Sequence, residues 1–93
     1  MRILITPTAK RTIKKLHPAQ KKLLDKAVRE IAENPLAGVE KVGDLAGVHV
    51  HKFRMNEAQC LLAYRILDAS TIKILMLGPH ENFYRDLKRQ GKG

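Results

Sequence analysis

The sequence predicts a single α+β domain in which two N-terminal helices pack on one face of a small, mainly antiparallel four-stranded sheet, followed by a short C-terminal helix. Its 93 residues fit one domain, and 44% hydrophobic residues suffice for one core. Helical spacing covers residues 9–34, and strand-like runs with short turns cover residues 48–77. We therefore expect one domain over residues 1–93.

The first half of the chain reads as a strand followed by two helices. Ile3–Ile5 is a short apolar run, and Thr8 can cap a helix over residues 9–16. Pro18 breaks that helix and opens the next, which runs to about Asn34. The second helix has an apolar stripe that needs a covering sheet or helix, formed by Leu24, Val28 and Ile31.

The second half reads as a loop, three strands and a short helix. Residues 35–47 carry Pro and Gly and predict a loop. Strand-like runs follow at residues 48–55, 60–67 and 71–77, and residues 80–89 have helical spacing. The short turns between the runs favour antiparallel pairing of these three strands.

Positive charge is concentrated near the N-terminus. Residues 1–30 hold nine basic and two acidic side chains, or +7, whereas the whole chain carries +9. Such a surface attracts polyanions, of which nucleic acid is the commonest, although a solvated helix face or an acidic protein partner would also account for it. The cations expected to bind RNA or an acidic partner are Lys14, Lys15, Lys22, Lys26, Arg29, Arg85 and Lys88.

Five side chains are candidates for chemistry on the sheet face opposite the helices. Lys52 and Arg54 share one face of a strand, Arg65 lies on its hairpin neighbour, and His80 and Tyr84 follow the last strand one helical turn apart. An imidazole that titrates near ~6.5 can move the protons of RNA phosphodiester cleavage. The cations can stabilise transition-state charge, and the phenol can stack on a base.

Each candidate also has a structural interpretation. Lys52 and Arg54 fit a half-solvated sheet, and His80 fits a helix cap. Either Phe83 or Tyr84 faces the site, and the sequence leaves open which one. Cys60 is expected to be a small core residue.

The composition excludes several other classes. No apolar run reaches the ~20 residues of a membrane-spanning helix, and no signal peptide is recognisable. A single cysteine and scattered carboxylates predict neither a disulfide nor a metal site, and no cofactor is expected. We therefore expect a soluble cytoplasmic domain.

Three segments resemble the bacterial toxins of the RelE/ParE superfamily. They are residues 52–54 (Lys-Phe-Arg), residues 61–65 (Leu-Leu-Ala-Tyr-Arg) and residues 77–88, which begin Leu-Gly-Pro-His-Glu-Asn-Phe-Tyr. Their order and the chain length match over essentially the whole sequence, with the RelE/YafQ-like branch favoured. Leu61 departs from the pattern, because RelE-like members carry an arginine there.

The resemblance implies a toxin of a type II toxin–antitoxin system. RelE-like members are ribosome-dependent endoribonucleases that cut mRNA and so inhibit translation, whereas ParE-like members inhibit DNA gyrase. By position, Lys52, Arg54, His80 and Tyr84 match the catalytic pattern of the RelE-like members. The implied partners are the ribosome, mRNA and an antitoxin encoded by the adjacent gene, which would cover the basic surface. We expect the endoribonuclease, with the gyrase inhibitor as the alternative.

Overall fold

A computed structural model describes residues 1–91, so the predicted domain end at residue 93 lies outside the described residues. The described chain forms five strands, three α-helices and two short 3₁₀ turns. In chain order the strands and α-helices are β1 (Arg2–Ile5), α1 (Pro7–Lys14), α2 (Pro18–Glu33), β2 (Val39–Glu40), β3 (Val48–Met55), β4 (Ala58–Asp68), β5 (Thr71–Pro79) and α3 (Phe83–Gly91).

The sheet is mixed and has five strands in the described chain, in the order β1-β5-β4-β3-β2. β1 runs parallel to β5, and the other neighbours are antiparallel. The prediction of four strands was therefore wrong by one. The additional strand, β2, has only two residues, Val39 and Glu40, which pair with Val50 and His49. A strand this short has no alternation that a sequence pattern could reveal.

The first helix begins earlier than predicted. Thr6, and not Thr8, is its N-cap, and the Thr6 hydroxyl accepts a hydrogen bond from the backbone N–H of Ala9 at 3.2 Å. Pro7 then occupies the first turn, where its missing N–H costs nothing and its fixed φ favours the helix.

The two N-terminal helices pack on one face of the sheet, as predicted, and the C-terminal helix packs on the opposite face. α1 and α2 bury one face over a core that includes Leu24, Ile31 and Tyr64. α3 covers part of the opposite face with Phe83 and Leu87. None of the three helices in the described residues is long and apolar enough to cross a membrane.

A register shift in β5 ties α1 and α3 to the sheet. The pairing of β4 with β5 slips after Ala63, which frees the carbonyl of Leu75 from the ladder. That carbonyl accepts hydrogen bonds from Thr6 Oγ1 at 2.7 Å and Gln90 Nε2 at 2.9 Å. The start of α1 and the end of α3 are thus fixed to the same point of the sheet.

Tyr64 fixes the segment that connects α2 with β3. Its buried hydroxyl donates to the carbonyl of Pro35 and accepts from the N–H of Gly38 at 3.0 Å. A Cβ at position 38 would lie 2.7 Å from the Tyr64 hydroxyl, so this close approach requires glycine. The segment that carries β2 is therefore held against the sheet edge.

Candidate functional site

The sheet register brings Lys52 and Arg54 to the end of the sheet from which α3 emerges. Lys52 lies opposite Leu61, which lies opposite Gly78 on β5, so the three share one row. With strands about 4.8 Å apart, this row spans about 10 Å. Lys52 and Arg54 are exposed, and alternation places them on the face that α3 partly covers.

His80 follows Gly78 of this row by two residues and lies in a tight turn. The strand ends at Pro79, and the carbonyl of His80 accepts a hydrogen bond from the Phe83 N–H at 3.2 Å. Asn82 has a φ of 60°, a left-handed conformation that asparagine tolerates, and α3 begins after it. His80 is consequently exposed at the junction between β5 and α3.

The aromatic residues at this junction divide between the core and the surface. Phe83 is buried, whereas Tyr84 is half-buried, which answers the question that the sequence left open. The imidazole of His80 meets the Tyr84 ring edge to face, with centroids 5.8 Å apart and planes at 80°. Tyr84 therefore supports the imidazole from the side of α3.

Lys41 joins this group, although sequence reasoning missed it. Its Nζ lies 5.0 Å from the centroid of the Tyr84 ring, and its side chain is half-buried. Within residues 1–91 no carboxylate lies within 4.0 Å of this ammonium group. No signal in the sequence marks Lys41, because it follows a two-residue strand inside a predicted loop.

Arg65 is separated from the other candidates, so its predicted place beside Lys52 is wrong. It lies opposite Val48 and Lys73, four residues along β4 from Leu61. Four residues of strand span about 13 Å. The Arg65 guanidinium instead donates to the carbonyl of Ala46 at 3.2 Å.

An open groove joins two of the candidate residues, Lys52 and Arg54, with the basic surface of α2. The groove has a volume of about 500 Å³ and lies between α2 and β3, with Lys26, Lys52 and Arg54 among its lining residues. Arg54 also donates to the carbonyl of Glu57 at 3.0 Å. The one carboxylate in the groove lining, Glu30, lies 3.1 Å from Nε2 of His51.

The remaining predicted binding residues are exposed. Arg85 lies 3.6 Å from the carboxylate of Asp86, so its charge is partly balanced. The other exposed cations of this predicted set are Lys14, Lys15, Lys22, Arg29 and Lys88.

Two further groups with potential chemistry are structural. Cys60 is buried, and burial raises the pKa of its thiol, so the neutral form prevails at neutral pH. His49 is buried and stacks on Tyr64 with centroids 5.5 Å apart. Among residues 1–91 no group of three or more His, Cys, Asp or Glu side chains is placed to hold a metal ion.

The fold recurs among solved structures of toxins. The RelBE toxin–antitoxin complex of E. coli matches with a TM-score of 0.70 at 20% identity, covering 86% of this chain and 96% of that chain. The RelBE2 toxin–antitoxin complex of Mycobacterium tuberculosis matches with a TM-score of 0.72 at 26% identity, covering 85% and 96%. A free mutant form of the E. coli toxin RelE matches with a TM-score of 0.73 at 16% identity, covering 98% and 93%.

Sequence comparison gives the family. A search of curated proteins found no match. A family model, described as the ParE-like toxin of type II bacterial toxin-antitoxin systems, matches residues 3–88, which is most of the chain. The chain therefore belongs to the ParE-like toxins of type II bacterial toxin–antitoxin systems, within the RelE/ParE superfamily.

Proposed function

We propose that this toxin is a ribosome-dependent endoribonuclease that cuts mRNA without a metal ion. The observation that carries the proposal is the exposed imidazole of His80, which is supported by Tyr84 and lies at the same end of the sheet as Lys52 and Arg54. An exposed imidazole at the same end of the sheet as two cations is suited to proton transfer at a phosphodiester.

The proposed reaction is an internal transfer at phosphorus. The 2′-oxygen loses its proton and attacks the adjacent phosphorus, and the bond to the 5′-oxygen breaks. The leaving oxygen takes a proton, so the products are a 2′,3′-cyclic phosphate and a 5′-hydroxyl. His80 either accepts the proton of the 2′-hydroxyl while water protonates the leaving 5′-oxygen, or protonates the leaving oxygen while water accepts the 2′-proton. Lys52 and Arg54 stabilise the negative charge that builds on the phosphate oxygens. Tyr84 stacks on a base or orients the reacting group.

The groove supports a path for the RNA. Because Lys26 and the two β3 cations line one opening, a polyanion lying on α2 can reach Lys52 and Arg54. We propose that ribosomal RNA and mRNA use this surface, and that an acidic segment of the antitoxin, encoded by the adjacent gene, competes for it. RelBE structures contain a toxin with its antitoxin, which supports an antitoxin as the partner.

Mapping of mRNA 5′ ends after brief induction in cells tests the proposal. We expect new ends within translated regions for the parent toxin, and none for His80→Ala or Lys52→Ala at equal expression. His17→Ala is the matched control, because His17 is exposed in the turn between α1 and α2. Growth arrest that persists in a variant lacking His80, Lys52 and Tyr84 together would contradict the assigned roles.

The experiment must distinguish mRNA cleavage from gyrase inhibition, because the matching family is that of the ParE-like toxins. A gyrase inhibitor would leave the messages intact, inhibit supercoiling and induce DNA-damage signalling. Intact messages together with these signs would show that the toxin is a gyrase inhibitor and would refute the nuclease.

A further inference from the structure

Two cations face each other on the part of the sheet that the candidate site does not use. Arg65 and Lys73 are directly opposed on β4 and β5, and both are half-buried. Like charges in this position destabilise a sheet. Within the described residues neither cation has a carboxylate within 4.0 Å. The pair is therefore unbalanced in the free protein.

Both cations line one cavity of about 420 Å³ between α1, α3 and the sheet. The first turn of α1, from Thr6 to Thr8, forms another part of its wall. In this turn Pro7 has no N–H and the Ala9 N–H donates to Thr6 Oγ1, so the N–H that is left for a ligand is that of Thr8. The start of a helix also carries a partial positive charge. Asp44 also lines the cavity, but its carboxylate lies beyond 4.0 Å from both cations.

The Arg65 guanidinium is held in place before any ligand arrives. It donates to the carbonyl of Ala46, and Gly47 allows it to approach, because a Cβ at position 47 would lie 2.8 Å from Arg65 Nη1. Gly47 has a φ of +85°, which favours glycine as well. A fixed cation loses less entropy on binding than a mobile one.

We propose that this cavity is a second phosphate-binding site, in which Arg65 and Lys73 hold a backbone phosphate of RNA away from the cut. Four residues of β4, about 13 Å, separate the Arg65 position from the row of Lys52, so one phosphate cannot contact both sites. The choice of RNA as the source of the phosphate rests on the proposed function. The site is an anchor for the RNA backbone and takes no part in the reaction.

NMR titration of the full chain with a 2′-O-methyl hexauridylate tests the site. Methylation blocks the attacking 2′-oxygen, so binding is measured without cleavage. We expect shifts of the backbone amides of Thr8, Gly47 and Lys73. Because each cation supplies charge-assisted hydrogen bonds, Arg65→Met and Lys73→Met should each weaken binding by about tenfold or more. Arg89→Met, which changes an exposed cation outside this cavity, should weaken it less than about twofold.

Lys73→Met keeps the test valid if Arg65→Met loosens the turn at Gly47. Lys73 makes no side-chain hydrogen bond within residues 1–91, and removal of one of two like charges should leave the urea midpoint unchanged or raise it. Unchanged RNA affinity in Lys73→Met, or no shift at Thr8 and Gly47, would overturn the proposal.

Inorganic phosphate is the second probe. Phosphate should bind at the same amides more weakly than the hexauridylate does, and Lys73→Met should abolish this binding. Binding of phosphate without any binding of the hexauridylate would overturn the assignment to RNA. The titration is independent of catalysis. A toxin that cuts no mRNA but binds the blocked RNA here would refute the proposed function and leave this site standing.

Discussion

Replacement of Tyr64 by phenylalanine tests how the segment from Pro35 to Gly38 is held. The substitution removes one hydroxyl and keeps the ring, so the N–H of buried Gly38 and the carbonyl of half-buried Pro35 both lose their partner. An unsatisfied buried group costs about 1–3 kcal/mol, and the Pro35 carbonyl recovers part of that cost from water. We therefore expect a loss of about 2–4 kcal/mol in the free energy of unfolding.

Urea denaturation followed by circular dichroism measures this loss. With a slope of about 2 kcal/mol/M, the midpoint should fall by about 1–2 M while the slope stays constant. Tyr84→Phe is the matched control, because the Tyr84 hydroxyl has no hydrogen bond among the described residues, and its effect should stay within about 0.5 kcal/mol. A loss below about 0.5 kcal/mol for Tyr64→Phe would refute the reasoning, since both backbone groups would then be satisfied without the hydroxyl.

Three further predictions follow from the same structure. Lys41→Met should slow single-turnover RNA cleavage about two- to fivefold through loss of a cation–π contact of about 0.5–1 kcal/mol, whereas Lys41→Arg should retain the rate. Burial raises the pKa of Cys60 above its ordinary 9.0, so the thiol contributes stability that is full below pH 9.0 and is lost as pH rises through the folded-state pKa. Urea midpoints measured between pH 8 and 10.5 should fall less steeply for Cys60→Ala, and equal slopes would contradict this. Gly47→Ala should cost more stability than Gly43→Ala, because both have positive φ but only a Cβ at position 47 meets Arg65, and equal losses by urea denaturation would contradict that contact.

The sequence predicted β3, β4 and β5 well because each is a strand-like apolar run bounded by turn residues. Burial alternates only in the second half of β3, and residues 60–64 of β4 are buried without interruption. The bounds of β3 agree with the predicted run of residues 48–55. β4 begins two residues before and ends one residue after its predicted run, and β5 ends two residues after its own. β2 could not be predicted, since two residues carry no period. Lys41 was missed for the same reason, because its place beside Tyr84 depends on that strand.

The misplacement of Arg65 was avoidable. Alternation tells on which face of the sheet a strand residue lies. The turn sets which residue lies opposite it on the neighbouring strand. The turn at residues 56–57 pairs Met55 with Ala58, and counting outward from that pair places Arg65 opposite Val48. Helical spacing predicted that His80 and Tyr84 lie on the same side, and their rings are in contact, but the contact forms across the turn before α3, because α3 begins only at Phe83.

Single-turnover cleavage of mRNA on purified ribosomes tests the central claim most directly. The parent toxin should cut the message in a programmed A site and leave a 2′,3′-cyclic phosphate. Because positioned proton transfer contributes about 10²–10⁴-fold, His80→Ala should reduce the rate by at least about two orders of magnitude. His17→Ala should retain the parent rate. Cleavage by His80→Ala at the parent rate would contradict the role of the imidazole, and no cleavage by the parent toxin would contradict the nuclease itself.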